Sequence, residues 1–439
     1  MPGRRGRGRA VGWLAVGRRA VARLAAALLA VLLVACPNTV APPAATITVD
    51  GRVLAVVGTP LAGVLVHAQR KLTTTGADGA FRLEGITTPY TLTLGSGGAA
   101  PWVHAYEGLT SATPLLVPTG PTFGWYRGWL GGDFLGLGAL PDDEHVIVGV
   151  EGIASPALGL GFASGGATSY MASVAWQGPG ATAPVRVHAL RVQVDAQGQP
   201  IAYFGYDVRD VTLVDGGTTV SDVLLNQVVP NSRLDGTVTV AGGGLLTFTH
   251  VLARFGASYG LVVSVAPASA MLNPPVPDVG DGSAVAVAVA EYAYGTTVAW
   301  TSVPVGPTFA LEVPTPPQLL APLPGIADVT AATEFRAEGG PAGGRLFVWE
   351  PNSAADGPKL ALTTAADAAR MPDVTPLGLA LVPGGRYEWH VRAVAAENYA
   401  AAVSVPPIDR SLLLYGVLGT VPQDGAIATS AFRAMTLAP

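Results

Sequence analysis

The chain has 439 residues, of which only 13% are charged while Gly and Pro number 56 and 37. That length allows roughly two to four domains, and short apolar runs between frequent turns explain the composition better than a disordered chain does. Seven of its 25 basic residues lie before residue 24, so the other 18 face 30 acidic ones and the body carries about −12, which disfavours nucleic acid as a partner. A single cysteine, Cys36, leaves no disulfide framework and no thiolate metal site. The core must therefore come from the 49% of residues that are hydrophobic.

Arginines at positions 4, 5, 7, 9, 18, 19 and 23 precede an uninterrupted run of Leu, Ala and Val over residues 24–35. This is the charged lead and apolar stretch of an export signal. As a helix the run rises about 18 Å, short of the roughly 30 Å hydrocarbon core, so it is expected to be removed rather than to span. Its end, Leu33-Val34-Ala35-Cys36, resembles the bacterial lipoprotein lipobox. The resemblance implies that residues 1–35 are a lipoprotein signal peptide, that the Cys36 thiol is acylated, and that the exported protein is held on a membrane of the cell envelope through its N-terminal lipid. An ordinary signal peptide with a cysteine at its cleavage site is the alternative, and Arg18-Arg19 permits a twin-arginine reading.

Residues 36–45, rich in Pro and Ala, read as a tether. From Thr46 the pattern turns to β: residues 46–54 and 63–68 alternate, and Asp78-Gly79 between strand-like runs signals a hairpin. Gly51-Arg52-Val53, residues 60–66, residues 73–81 and Leu83-Glu84-Gly85-Ile86 resemble the carboxypeptidase regulatory-like domain. That resemblance implies a transthyretin-like β-sandwich over residues 46–118, an accessory module without protease activity.

Residues 122–134 are rich in Gly and aromatics, with Trp125, Tyr126 and Trp129 as candidate ligand-binding residues. Their rings could form an exposed platform for sugars or pack between neighbouring sandwiches; burial is the more usual fate of large rings. Residues 185–195 alternate with period two, which places Arg186, His188 and Arg191 near solvent or an edge. Asp235-Gly236-Thr237-Val238 repeats the Asp50-Gly51-Arg52-Val53 opening, so one β-sandwich-like domain is expected over residues 119–230 and another over 231–313. The apolar run 285–290 ends at Glu291, far below spanning length.

Pro314, Pro316 and Pro317 mark a linker that fixes φ and removes backbone donors. Beyond it, Gly344 to Trp349 and the alternation Tyr387, Trp389, Val391, Ala393 resemble a fibronectin type III-like sandwich. Residues 314–439 are expected to form that domain around Phe335, Phe347, Trp349, Tyr387 and Trp389. The fold class is thus all-β: a string of small β-sandwich domains, transthyretin-like and immunoglobulin-like, after an N-terminal signal helix.

Motifs of catalysis do not appear. Residues 161–165 set two residues between Gly and Ser, so there is no nucleophile elbow, and no phosphate loop or zinc-helix motif occurs. The six histidines, His67, His104, His145, His188, His250 and His390, are scattered. Asp142-Asp143-Glu144-His145 lacks the ligand spacing of a calcium loop and reads as a solvated turn. No metal, cofactor or catalytic residue is expected. The reading is a non-catalytic structural or binding scaffold whose partner is an envelope protein or a glycan. A carbohydrate-binding lipoprotein, or an enzyme with its site in residues 119–313, are the alternatives. Replacing the thiol tests the anchor: Cys36→Ser should move the protein from the membrane to the soluble fraction on cell fractionation, and equal retention of both forms would remove the lipoprotein reading.

Overall fold

The computed structural model describes residues 46–439 apart from 56–57, 99, 120–124, 154–156, 178–179, 256–258, 268, 281, 305, 307 and 406–423. The stretches expected to be export signal and tether, Cys36 among them, and residues 122–124 of the aromatic tract lie outside the described residues. The fold is all-β.

The first stretch holds β1 (Thr46–Val53), β2 (Leu65–Ala68), β3 (Lys71–Thr74), β4 (Ala80–Thr87), β5 (Tyr90–Ser96), β6 (Trp102–Leu109) and β7 (Leu115–Leu116). Val49 and Phe81 from the β4-β1-β7 sheet share a core with Val66, Leu92 and Leu94 from the strands facing it. The Asp78-Gly79 turn forms, with Gly79 at φ +73°. It does not close a hairpin, because β3 pairs with β2 while β4 joins β1. β4 buries Phe81, Leu83 and Ile86 while β3 buries none of its residues, and the turn carries the chain between sheets.

The second stretch is a 7-stranded sheet in the order β13-β12-β9-β10-β11-β8-β14. Its members are β8 (Trp125–Asp133), β9 (Glu144–Gly152), β10 (Ala157–Ala163), β11 (Ser169–Gln177), β12 (Thr182–Val194), β13 (Pro200–Val214) and β14 (Thr218–Val220). The third stretch holds β15 (Asn231–Arg233), β16 (Gly236–Val240), β17 (Leu245–Phe255), β18 (Tyr259–Pro267), β19 (Met271–Leu272), β20 (Pro275–Pro277), β21 (Ser283–Tyr292), β22 (Gly295–Pro304) and β23 (Phe309–Val313).

The repeated Asp-Gly opening has a structural counterpart. Both β1 and β16 pair in parallel with a later strand, β7 and β23 respectively. In both, the glycine lies under a phenylalanine ring, Gly51 under Phe81 and Gly236 under Phe309, where a Cβ would collide with the ring. Only glycine lets the ring close over the strand.

The apolar run in β21 is a strand buried on both faces. Ala284, Ala286, Ala288 and Ala290 enter one core, and Val285, Val287 and Val289 enter another. A near-continuous apolar run is what two-sided burial requires. Among the described residues no helix is long and apolar enough to cross a membrane.

The last stretch holds β24 (Gln318–Ala321), β25 (Ile326–Val329), β26 (Phe335–Glu338), β27 (Gly343–Pro351), β28 (Lys359–Thr364), β29 (Ala368–Ala369), β30 (Arg386–Ala395), β31 (Asp424–Ser430) and β32 (Arg433–Leu437). Phe335, Phe347, Trp349, Tyr387 and Trp389 share one core, with Trp349 and Trp389 packed edge-on to Phe335 at 5.1 and 5.0 Å. The prolines after β23 interrupt the backbone there, but ladders join this stretch to the others elsewhere. β28 pairs in parallel with β6, and β31 pairs antiparallel with β22. The result is a 14-stranded sheet that draws strands from the first, third and last stretches.

His104 sits beside the β6–β28 ladder, fully shielded. Its Nε2–H donates to Thr363 Oγ1 at 2.8 Å, and its Nδ1 accepts from the Thr119 backbone N–H at 3.0 Å. Burial, helped by Lys359, pushes its pKa down to about 3, and burial likewise holds His390 well below 6.5. Below about pH 6.5 the unfolded chain takes up a proton at each site while the folded chain does not, so stability is whole above that pH and falls as pH drops. Each histidine contributes a slope of about 1.4 kcal/mol per pH unit. Chemical denaturation between about pH 6 and 5, above most carboxylate titration, should show this fall, and His104→Gln should flatten it by one proton's worth.

Candidate functional site

One face of the 7-stranded sheet carries both features that could hold a ligand. Register partners fix this geometry, since His188, Gly149, Leu160, Ser173 and Trp129 lie opposite one another across β12, β9, β10, β11 and β8. Four interstrand steps set Trp129 about 19 Å from His188.

At the β8 end, Trp125, Arg127 and Trp129 are exposed on this face, while Tyr126 points to the other side and stacks on Trp176 at 5.9 Å. Period-two alternation thus separates the three candidate residues. Trp125 is 40% and Trp129 49% exposed, about 13 Å apart along the strand. Met171 on β11, Phe162 on β10 and Val220 on β14 extend the uncovered apolar surface. Arg127 is held from behind, its backbone N–H donating to Asp215 Oδ1 at 3.0 Å.

At the β12 end the same face is covered by β17 and β18. Leu190, Val192, Val194, Tyr203 and Tyr206 pack there with Val251, Phe255, Tyr259 and Leu261. Tyr203 and Tyr206 differ in parity, yet both reach this core because β13 bulges at Phe204, so that Val192 pairs with Tyr203 and Arg191 with Gly205. The guanidinium of Arg191 covers the displaced Phe204 ring at 4.5 Å.

His188 is not near solvent, contrary to the alternation argument. β12 is flanked by β13 and β9, and β17 and β18 roof it, so His188 is only 2% exposed. Its Nε2–H donates to Glu151 Oε2 at 3.2 Å, and its Nδ1 accepts from the Tyr206 hydroxyl at 3.0 Å. Phe255 closes over the ring at 4.2 Å. Tyr259 lies over Gly149, the residue opposite His188, where a Cβ would collide with its hydroxyl. Arg191, also expected near solvent, is half-buried and pairs with Glu144 at 2.5 Å. Arg186 does reach solvent and forms a bidentate pair with Asp210 at 2.9 and 3.3 Å, with Glu151 3.9 Å away.

Burial raises the Tyr206 phenol to about 12 and raises Tyr259 further, with Glu151 adding to the second. Both are therefore protonated hydrogen-bond donors at neutral pH. Beside them opens a cleft of about 720 Å³ lined by Glu151, Arg186, His188, Tyr206, Asp210 and Phe255. The acidic turn at Asp142 and Asp143 is exposed, with Asp143 Oδ2 accepting from Gln193 Nε2 at 2.8 Å. Among the described residues no group of His, Cys, Asp and Glu is arranged to hold a metal ion. Sequence reasoning missed the cleft because Glu151, His188 and Tyr206 are 37 and 18 residues apart. The available signal was polar Arg186 and His188 on the same strand face as Leu190.

No family model and no curated protein matches the chain. Solved structures with some likeness include a leucine-rich repeat protein from Bacteroides thetaiotaomicron, at 10% identity and a TM-score of 0.17, covering 41% of this chain and 26% of that one. The TIE protein of Bacillus anthracis follows at 12% identity and 0.16, covering 61% and 49%. A major pilin subunit of Bacillus cereus stands at 9% and 0.15, covering 61% and 99%. The chain spans less than two thirds of the first two proteins.

Proposed function

We propose that this chain is an exported, lipid-anchored scaffold of the cell envelope that acts without catalysis and holds glycan on the Trp125–Trp129 face. Its modules would be the carboxypeptidase regulatory-like sandwich of residues 46–118, the two of residues 119–230 and 231–313, and the fibronectin type III-like sandwich of residues 314–439, all carried on acylated Cys36.

The observation that carries the binding reading is the pair of exposed tryptophans on one face of a strand paired along its length to β11 and, from Trp129 to Gly131, also to β14. An indole face stacks on the C–H face of a sugar ring, and the ladder holds the two rings in place before the ligand arrives. Arg127 between them, and Ser173 opposite Trp129, are placed to meet hydroxyl groups. A contiguous uncovered apolar surface with polar groups set into it is a usual mark of an interaction site.

A glycan array probed with the purified full chain tests this. Extended oligosaccharides should be retained, and Trp125→Ala or Trp129→Ala should weaken retention roughly tenfold or more. Each ring buries about half its surface, so folding stability should fall by about 1 to 3 kcal/mol with the cooperative transition kept. Absence of any retained glycan, or retention unchanged in the double variant, would contradict the proposal.

A further inference from the structure

We infer that the Glu151–His188–Tyr206 cleft is a second binding site, for a single neutral sugar ring or similar polyol, independent of the tryptophan face. Its volume of about 720 Å³ falls within the usual range for small-molecule sites.

The polar groups of the cleft select the ligand. Both arginines that line it are engaged, Arg186 by Asp210 with Glu151 nearby, and Arg209 by Asp207 at 2.8 Å. An anion would have to break one of these pairs, so carboxylates and phosphates are disfavoured. What the cleft offers is acceptors. Glu151 uses Oε2 for His188 and faces Arg186 with the same atom, which leaves Oε1 open. Tyr206 gives its proton to His188 and keeps oxygen lone pairs. Hydroxyl groups that donate to these two oxygens satisfy them without displacing any existing bond.

The arrangement is held before a ligand arrives. His188, buried and bonded at both nitrogens, fixes Glu151 and Tyr206 relative to each other, and the regular β12–β13 register sets Tyr206, Val208 and Asp210 on the same face as His188. Phe255 adds an apolar wall on which the C–H face of a sugar can rest. Few polar groups, fixed in place and set beside aromatic surface, are what a small-ligand pocket requires.

The test is calorimetric titration of the purified full chain with methyl glucoside, methyl galactoside, methyl mannoside, N-acetylglucosamine and glucuronate. At least one neutral sugar should bind with glucuronate much weaker, and Glu151→Gln should weaken the neutral sugar about tenfold or more. Trp129→Ala should leave that affinity within about twofold. Asp210→Asn, at an exposed rim position, removes the bidentate partner of the Arg186 guanidinium and should admit glucuronate. The inference is overturned if no neutral sugar binds, if glucuronate binds the unaltered chain as well as they do, or if Trp129→Ala abolishes binding. It also fails if Asp210→Asn gains no affinity for glucuronate.

Discussion

The alternation of alanine and valine in β21 is the constraint on which the rest depends. A strand buried on both faces must pair its backbone on both edges, and β21 does so with β17 and β22. Its valines fill a second core beside Leu252, Val298 and Trp300. Its alanines enter a core with Leu311 and Val313 of β23, and that core continues to Ile147, Leu190, Val192, Tyr203 and Tyr206 of the 7-stranded sheet. Larger residues at the alanine positions would force the layers apart, at about 1 to 3 kcal/mol each.

The cleft lies where that core meets the end of the β17–β18 pair. Phe255 and Tyr259 lie on the last residue of β17 and the first of β18, and their rings stand 4.2 and 5.4 Å from that of His188. Gly149 contributes from the opposite side by having no side chain under Tyr259. The roof covers only the β12 end, and the same sheet face is left open from Phe162 to Trp125. One sheet therefore presents a roofed polar cleft and an open aromatic surface, both held by ladder pairing.

Much of the fold was legible because a period of two reports burial directly. β12 and β30 could be read as strands, and the aromatic core of residues 335–389 could be named from alternation. Two-sided burial was harder to read, since the run in β21 carries no polar alternation. Pairing between distant segments was not legible at all. Nothing local announces that β6 meets β28 or that β22 meets β31, because such pairing depends on which edges remain open once nearby strands have paired. At the candidate site, Trp125 and Trp129 were legible as aromatics of one tract, whereas the cleft needs β9, β12 and β13 to pair in one register, which no local sequence feature announces. His188 shows the cost of reading one strand alone: alternation gives the face a residue occupies but not what covers that face.

Native-state amide exchange in rising denaturant tests the shared core most directly. If the alanine face of β21 binds the two sheets together, amides of β12, β17 and β21 should lose protection in one step at the same denaturant concentration. Protection that persists in β8 to β12 after β21 has opened would mean that the two sheets hold separate cores and that the cleft between them rests on a weaker contact.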